Sequence, residues 1–148
     1  MSLSVDYDAL EATTSIEDMT EGWPNLETLL SLRNDDDLSC LRICDEAYAC
    51  GHGDYHPGGS ERLGWLGHFA KKSTHLEEFC LFGFGIFNSC SKQSVERFFQ
   101  DIGKCDRIKK VHFLYTDLAD IICELGPVIN NNSITNLDLE NCDLGVSG

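Results

Sequence analysis

ITNLDLENCDL, residues Ile134 to Leu144, carries large apolar side chains at its first, fourth, sixth and eleventh positions and a cysteine at its ninth. The same spacing occurs upstream in LSCLRICDEAY (Leu38 to Tyr48), LEEFCLFGFGI (Leu76 to Ile86) and IKKVHFLYTDL (Ile108 to Leu118). Between the fourth and sixth positions apolar and polar residues alternate, so each segment is expected to form a short strand with one face inward and one in water. At the ninth position a small polar side chain can bond backbone groups that a turning chain leaves unpaired. Thr116 and Cys142 suit that role; Phe84 and Glu46 do not, and the first two turns are expected to be irregular. One such unit cannot bury its own apolar row, so stability requires that neighbouring units stack.

The intervening segments read as helices. Ser60 to Lys72 has Leu63, Leu66 and Phe69 or Ala70 at helical spacing, with Ser60 as a candidate N-cap. Ser91 to Lys104 carries a stripe of Val95, Phe98, Phe99 and Ile102. Leu118 to Val128 holds Ile121, Ile122 and Leu125, ended by Gly126-Pro127 or by the asparagines at 130 to 132. Strand, helix, strand in this order predicts parallel pairing, with strands near Leu41 to Ile43, Phe79 to Leu81, Val111 to Phe113 and Leu137 to Leu139. A further helix over 24–33, with Pro24 early and Leu26, Leu29 and Leu30 on one side, would cap the first strand.

The spacing L-x-x-L-x-L-x-x-N/C-x-L is the signature of a leucine-rich repeat. The expected fold class is therefore α/β: a right-handed leucine-rich repeat solenoid with a curved parallel sheet on the concave side and helices on the convex side. The expected domain covers 23–148, with strand motifs at 38–48, 76–86, 108–118 and 134–144. The last motif ends at Leu144 and the chain at Gly148, ahead of any fourth helix, so a C-terminally truncated unit, or one completed by another chain, is expected. A fragment without independent function is thus one alternative reading.

Charge is uneven. Residues 1–37 hold ten acidic side chains and one basic one, out of a net charge of −14 for the chain. With few apolar residues before Trp23, the acidic segment 1–22 is expected to be disordered. The scarcity of clustered Lys and Arg argues against nucleic acid as a partner. Met1 to Leu10 lacks the basic and apolar runs of a secretory signal, and no segment approaches the roughly 20 apolar residues of a membrane span. The expected location is the cytoplasm, with the nucleus left open, and no membrane partner. There the eight cysteines should stay reduced. Cys40, Cys44 and Cys80 fall at solvent-facing strand positions of the pattern.

The first insertion, CGHGDYHPGG, holds Cys50, His52 and His56. With Cys44 they could form a zinc-type Cys/His set, a second alternative. The closely spaced Cys-x2-Cys pair of common zinc modules is missing, and a flexible glycine-rich loop is the preferred reading, so no metal and no cofactor are expected. Nucleophile-elbow, metalloprotease, phosphate-loop and dinucleotide motifs are absent, and Gly83-Phe84-Gly85 lacks a third glycine. The expected role is non-catalytic.

If the strands are parallel and in register, equivalent positions lie side by side, about 4.8 Å apart. Glu77 then stands beside Lys109 and Glu78 beside Lys110, while Arg42, Cys80, His112 and Asp138 form the central row. Phe82 and Leu114 come next, with Tyr115 following. Aromatic and apolar groups bordered by charges on a solvent face suggest a protein-binding site. Its expected residues are Phe82, Leu114 and Tyr115, with Glu77, Glu78, Lys109, Lys110, His112 and Asp138 around them, and its partner is an unidentified protein.

The strings LGWLGHFAKKSTHLEEF, SVERFFQDIGKC and LADIICELGPVINNNSITNLDLENCDLG, together with the motifs, resemble leucine-rich repeat proteins of the ribonuclease-inhibitor type. In wording they are similar to an expanded set of such proteins in diatoms. The resemblance covers Trp23 to Gly148 and implies a non-enzymatic interaction scaffold with a concave parallel sheet. The long first repeat and the irregular ninth positions depart from the family pattern.

Overall fold

In a computed structural model of the chain, residues 6–20, 25–35, 38–44, 53–83, 85–116, 122–131 and 134–140 are described. Three short helices come first: α1 (Tyr7–Glu11), α2 (Ile16–Met19) and α3 (Asn25–Arg33). Then follow β1 (Cys40–Cys44), β2 (Asp54–Tyr55), α4 (Ser60–Ala70), β3 (Glu78–Phe82), α5 (Lys92–Gly103) and β4 (Lys110–Leu114). A 3-10 turn over Ile122–Leu125 leads into α6 (Gly126–Asn131) and β5 (Asn136–Glu140). The fold is mixed α/β, with one five-stranded sheet in the order β2-β1-β3-β4-β5 and every neighbouring pair parallel.

The strands of the four sequence motifs pair position for position. Leu41 lies opposite Phe79, Phe79 opposite Val111, and Val111 opposite Leu137. The alternation read in the sequence puts Leu41, Ile43, Phe79, Leu81, Val111 and Phe113 into the core, all buried. The helices cover that face in chain order, α3 on α4, α4 on α5 and α5 on α6. The α5 stripe supplies Val95, Phe98, Phe99 and Ile102, and Phe79 meets Phe98 and Phe99 at ring-centroid distances of 5.9 and 6.2 Å. Ser91 caps α5, its Oγ accepting from the Ser94 N–H at 3.2 Å.

Leu137 and Leu139 occupy the inward positions of the pattern yet are 51% and 47% exposed; among the described residues β5 pairs with β4 and with no further strand.

Several expectations are corrected. Segment 1–22 is not a loose tail over its described part: Asp6 and Ser15 cap α1 and α2 through their side chains, and Tyr7, Ile16 and Met19 belong to the core. Tyr7 packs edge-on against Trp65 of α4 at 4.8 Å with the Arg97 guanidinium 4.8 Å above its ring. A few apolar side chains at caps and helix faces suffice to dock a segment whose average composition is acidic. Ser60 is the first residue of α4 and its cap position is Gly59; the Ser60 hydroxyl instead accepts the Ser91 N–H at 2.8 Å, joining α4 to α5. Of the two ends expected for the third helix, the asparagine run is the one observed: Gly126-Pro127 opens α6, as suits a proline in a first turn, and α6 closes at Asn131.

From Gly53 on, the first insertion is also more ordered than a flexible loop. Asp54 and Tyr55 form β2 and are buried, and Gly53, at φ +90°, lies so near the Cys40 carbonyl that a Cβ would meet that oxygen at 2.7 Å. Asn25 of α3 pairs with the His56 backbone like a strand neighbour, donating to its carbonyl at 2.8 Å and accepting its N–H at 2.7 Å. Cys44 and Cys80 are buried rather than exposed to solvent, Cys80 being a small side chain between Arg42 and His112. Cys50, His52, Glu46, Phe84, Ile121 and Cys142 lie outside the described residues.

Between α4 and α5, Asp101 is packed so closely on Gly67 that a Cβ there would come within 2.8 Å of its Oδ2. Burial raises this carboxyl above its ordinary value of 3.8, against the pull of Lys71, Lys104, Arg97 and His68. A folded-state value above the unfolded one means that ionised Asp101 destabilises the fold at neutral pH, a penalty that vanishes as pH falls below the unfolded value. Asp101→Asn is therefore expected to raise the thermal midpoint at pH 7 and to leave it nearly unchanged at pH 3. A drop at pH 7 would mean that the ion pair to Lys104, at 3.8 Å, outweighs desolvation.

Candidate functional site

The sheet face turned away from the helices is built by the residues that alternate with the core row. In register across it run Arg42, Cys80, His112 and Asp138, and one step on run Cys44, Phe82, Leu114 and Glu140. Burial, its main cause, pushes the Cys80 thiol up to about 11 and the Cys40 thiol up to about 12, so both remain protonated and poorly nucleophilic at neutral pH.

The expected binding residues come together largely as the register predicts. Phe82 and Leu114 are neighbours on adjacent strands, and the Tyr115 ring stands edge-on to Phe82 at 5.8 Å. Tyr115 is 44% exposed, enough to offer its ring to a partner. On the far side, Lys110 Nζ lies 3.8 Å from Glu78 Oε1. Glu77 and Lys109 meet through their backbones, the Lys109 N–H donating to the Glu77 carbonyl at 2.8 Å. His112 sits between Cys80 and Asp138, with its Nε2 3.8 Å from Glu140 Oε2.

Backbone conformation fixes the aromatic end of this face. Gly83 and Tyr115 each follow their strand's last residue, and both have positive φ, +121° and +49°. Each N–H donates to the next strand over, Gly83 to the Leu114 carbonyl and Tyr115 to that of Glu140, both at 2.9 Å. The turn therefore demands a left-handed residue, which glycine supplies freely and tyrosine only at a cost of about 1–2 kcal/mol. One step further Thr116 is buried, with Oγ1 3.2 Å from the Leu81 carbonyl and 3.0 Å from that of Leu114, the backbone-bonding role expected at the ninth position.

Sequence reasoning missed Asp54. Its carboxylate accepts from Arg42 Nε at 2.7 Å and extends the central row by one strand. A two-residue strand is too short to carry an alternation signal, so nothing in the sequence marked it. His56, from the candidate zinc set, turns its Nδ1 to the Cys44 carbonyl at 3.2 Å.

No protein-family model matches the sequence, and no curated protein matches it. Among the described residues no helix is long and apolar enough to cross a membrane.

Proposed function

We propose that this chain is a non-catalytic interaction scaffold of the leucine-rich repeat, ribonuclease-inhibitor type, whose sheet forms the hollow side of a curved solenoid and binds another protein there. The observation that carries the reading is the Phe82–Tyr115 pair on the face opposite the helices, with Tyr115 held in an unfavourable left-handed conformation. Strain kept at an exposed aromatic is characteristic of sites where the side chain's position matters. The charged groups around it, Glu78 with Lys110 and His112 with Glu140, form the kind of polar rim that surrounds a desolvated anchor. The protonated thiols of Cys40 and Cys80 on this face are not activated as nucleophiles, in keeping with a binding role for it. A cytoplasmic location fits the free thiols of Cys40, Cys80, Cys90 and Cys105.

A partner captured with the intact chain tests the proposal. Phe82→Ala and Tyr115→Ala should each weaken binding by about 1–3 kcal/mol, whereas Glu77→Gln should act mainly on association rate and salt dependence. Tyr115→Gly is the more telling variant, because it relieves the backbone and should leave the fold as stable or more so while binding falls. Unchanged affinity in the triple variant Phe82→Ala, Leu114→Ala, Tyr115→Ala, with loss on Glu96→Lys in α5, would move the interface to the helical side.

A further inference from the structure

One side of α1 presents Asp8 and Glu11, three residues apart, to His68 of α4. Glu11 Oε1 is 2.8 Å and Asp8 Oδ1 3.8 Å from His68 Nε2, and the three ligand atoms all lie within 4.8 Å of one another. We propose that Asp8, Glu11 and His68 bind a divalent transition-metal cation of the zinc type, which clips α1 to α4.

Two further observations define what a metal ion would meet at this point. The first is the state of His68. Its ring is only 1% exposed and is wedged against Phe69 at 4.8 Å, Trp65 at 5.7 Å and Tyr7 at 6.0 Å, so packing aims Nε2 at the carboxylates. Its Nδ1 is buried without a hydrogen-bond partner, so in the metal-free chain the 2.8 Å bond to Glu11 keeps the proton on Nε2, and a metal ion has to shift it to Nδ1. With the proton moved, Nε2 changes from N–H donor to lone-pair ligand.

The second observation is that a cation already sits there. Lys72, one turn beyond His68, places its ammonium 3.1 Å from Asp8 Oδ1, 3.8 Å from Glu11 Oε1 and 3.4 Å from His68 Nε2. Its side chain is 48% exposed and can swing into water. A divalent ion in its place sets two positive charges against two carboxylates where the ammonium sets one. Imidazole with two carboxylates suits zinc or a neighbouring first-row ion better than magnesium or calcium, and three protein ligands leave coordination positions for water. The missing partner on Nδ1 should make the site about 10–100-fold weaker than one whose histidine donates to a carboxylate, so micromolar affinity is expected.

The test uses the full chain, stripped with a chelator and titrated with zinc chloride, and then with cobalt(II) as a spectroscopic probe. One equivalent should bind, raise the thermal midpoint and give a cobalt spectrum without the intense near-ultraviolet band of thiolate ligation. Glu11→Gln and His68→Asn should lower affinity at least about tenfold, and Lys72→Ala should raise it, because the competing ammonium is gone. Glu11 is partly exposed, so its variant keeps the test valid if His68→Asn fails to fold. The proposal is overturned if Lys72→Ala binds no more tightly, if Glu11→Gln binds as well as the unaltered chain, if no binding occurs below millimolar zinc, or if Cys50→Ser with His56→Ala abolishes it.

Discussion

Phe99→Ala is expected to lower the unfolding free energy by about 3–5 kcal/mol, the range for deleting a fully buried aromatic ring. The side chain is 0% exposed and sits where three elements converge, with the rings of Phe98, Phe87 and Phe79 at 5.5, 5.9 and 6.2 Å. Rings held by rings on several sides cannot collapse into the space left behind, so the cavity persists and the upper part of the range applies. Total stability for a domain of this kind is about 5–15 kcal/mol, so the variant should be near the edge of folding at physiological temperature. Chemical denaturation gives the number directly. A loss under 1 kcal/mol would show that the helices do not close tightly on the sheet. Phe82→Ala, on the opposite face, should cost far less, and that contrast lets binding defects there be read as binding defects.

Tyr7→Ala should cost about 2–4 kcal/mol, although it lies in a segment whose composition alone suggested disorder. The ring is 6% exposed, lies edge-on to Trp65 and beneath Arg97, and its hydroxyl occupies the space that a Cβ on Gly64 would need. Gly64→Ala should therefore evict Tyr7 and cost a similar amount. In the Tyr7→Ala background the same change should be neutral or stabilising by up to about 1 kcal/mol, because alanine is the better helix former once the clash is gone. A reversal of sign between the two backgrounds is the expected signature. Equal effects in both would mean that Gly64 and Tyr7 are not in contact in solution.

The sheet was legible because its signal is periodic. Leu41 to Ile43, Phe79 to Leu81, Val111 to Phe113 and Leu137 to Leu139 all lie in parallel strands, and the register that put Glu78 beside Lys110 and Phe82 beside Leu114 is the one observed. A slip of one residue would have turned the buried apolar residues of β1, β3 and β4 outward, so the pattern tolerates a single alignment. The α4 and α5 helices were legible for the same reason. What escaped was held by single side chains: Tyr7 in its notch over Gly64, Asp54 on Arg42, Asn25 on the His56 backbone. Such contacts join residues 12 to 57 positions apart and leave no repeat in the sequence. The aromatic cluster was foreseen through register, but the left-handed turn that aims Tyr115 was not, since a tyrosine there advertises no special backbone.

The two ends of the sheet differ in how they would yield to force. At the β2 end, Thr28 ties the edge strand's backbone to α3, its hydroxyl donating to the Asp54 carbonyl at 2.6 Å, and Asn25 holds His56 just after the strand. At the β5 end, among the described residues, Leu137 and Leu139 are about half exposed and their strand is held by β4. Under load applied through β5, the sheet should open there first, shedding β5 at low tension while β1, β3 and the aromatic seam beneath them hold until they rupture as a block. Hydrogen-bond ladders loaded one rung after another open more easily than ladders sheared together, so the same edge would also set which part of the chain a processive unfolding machine could grip first.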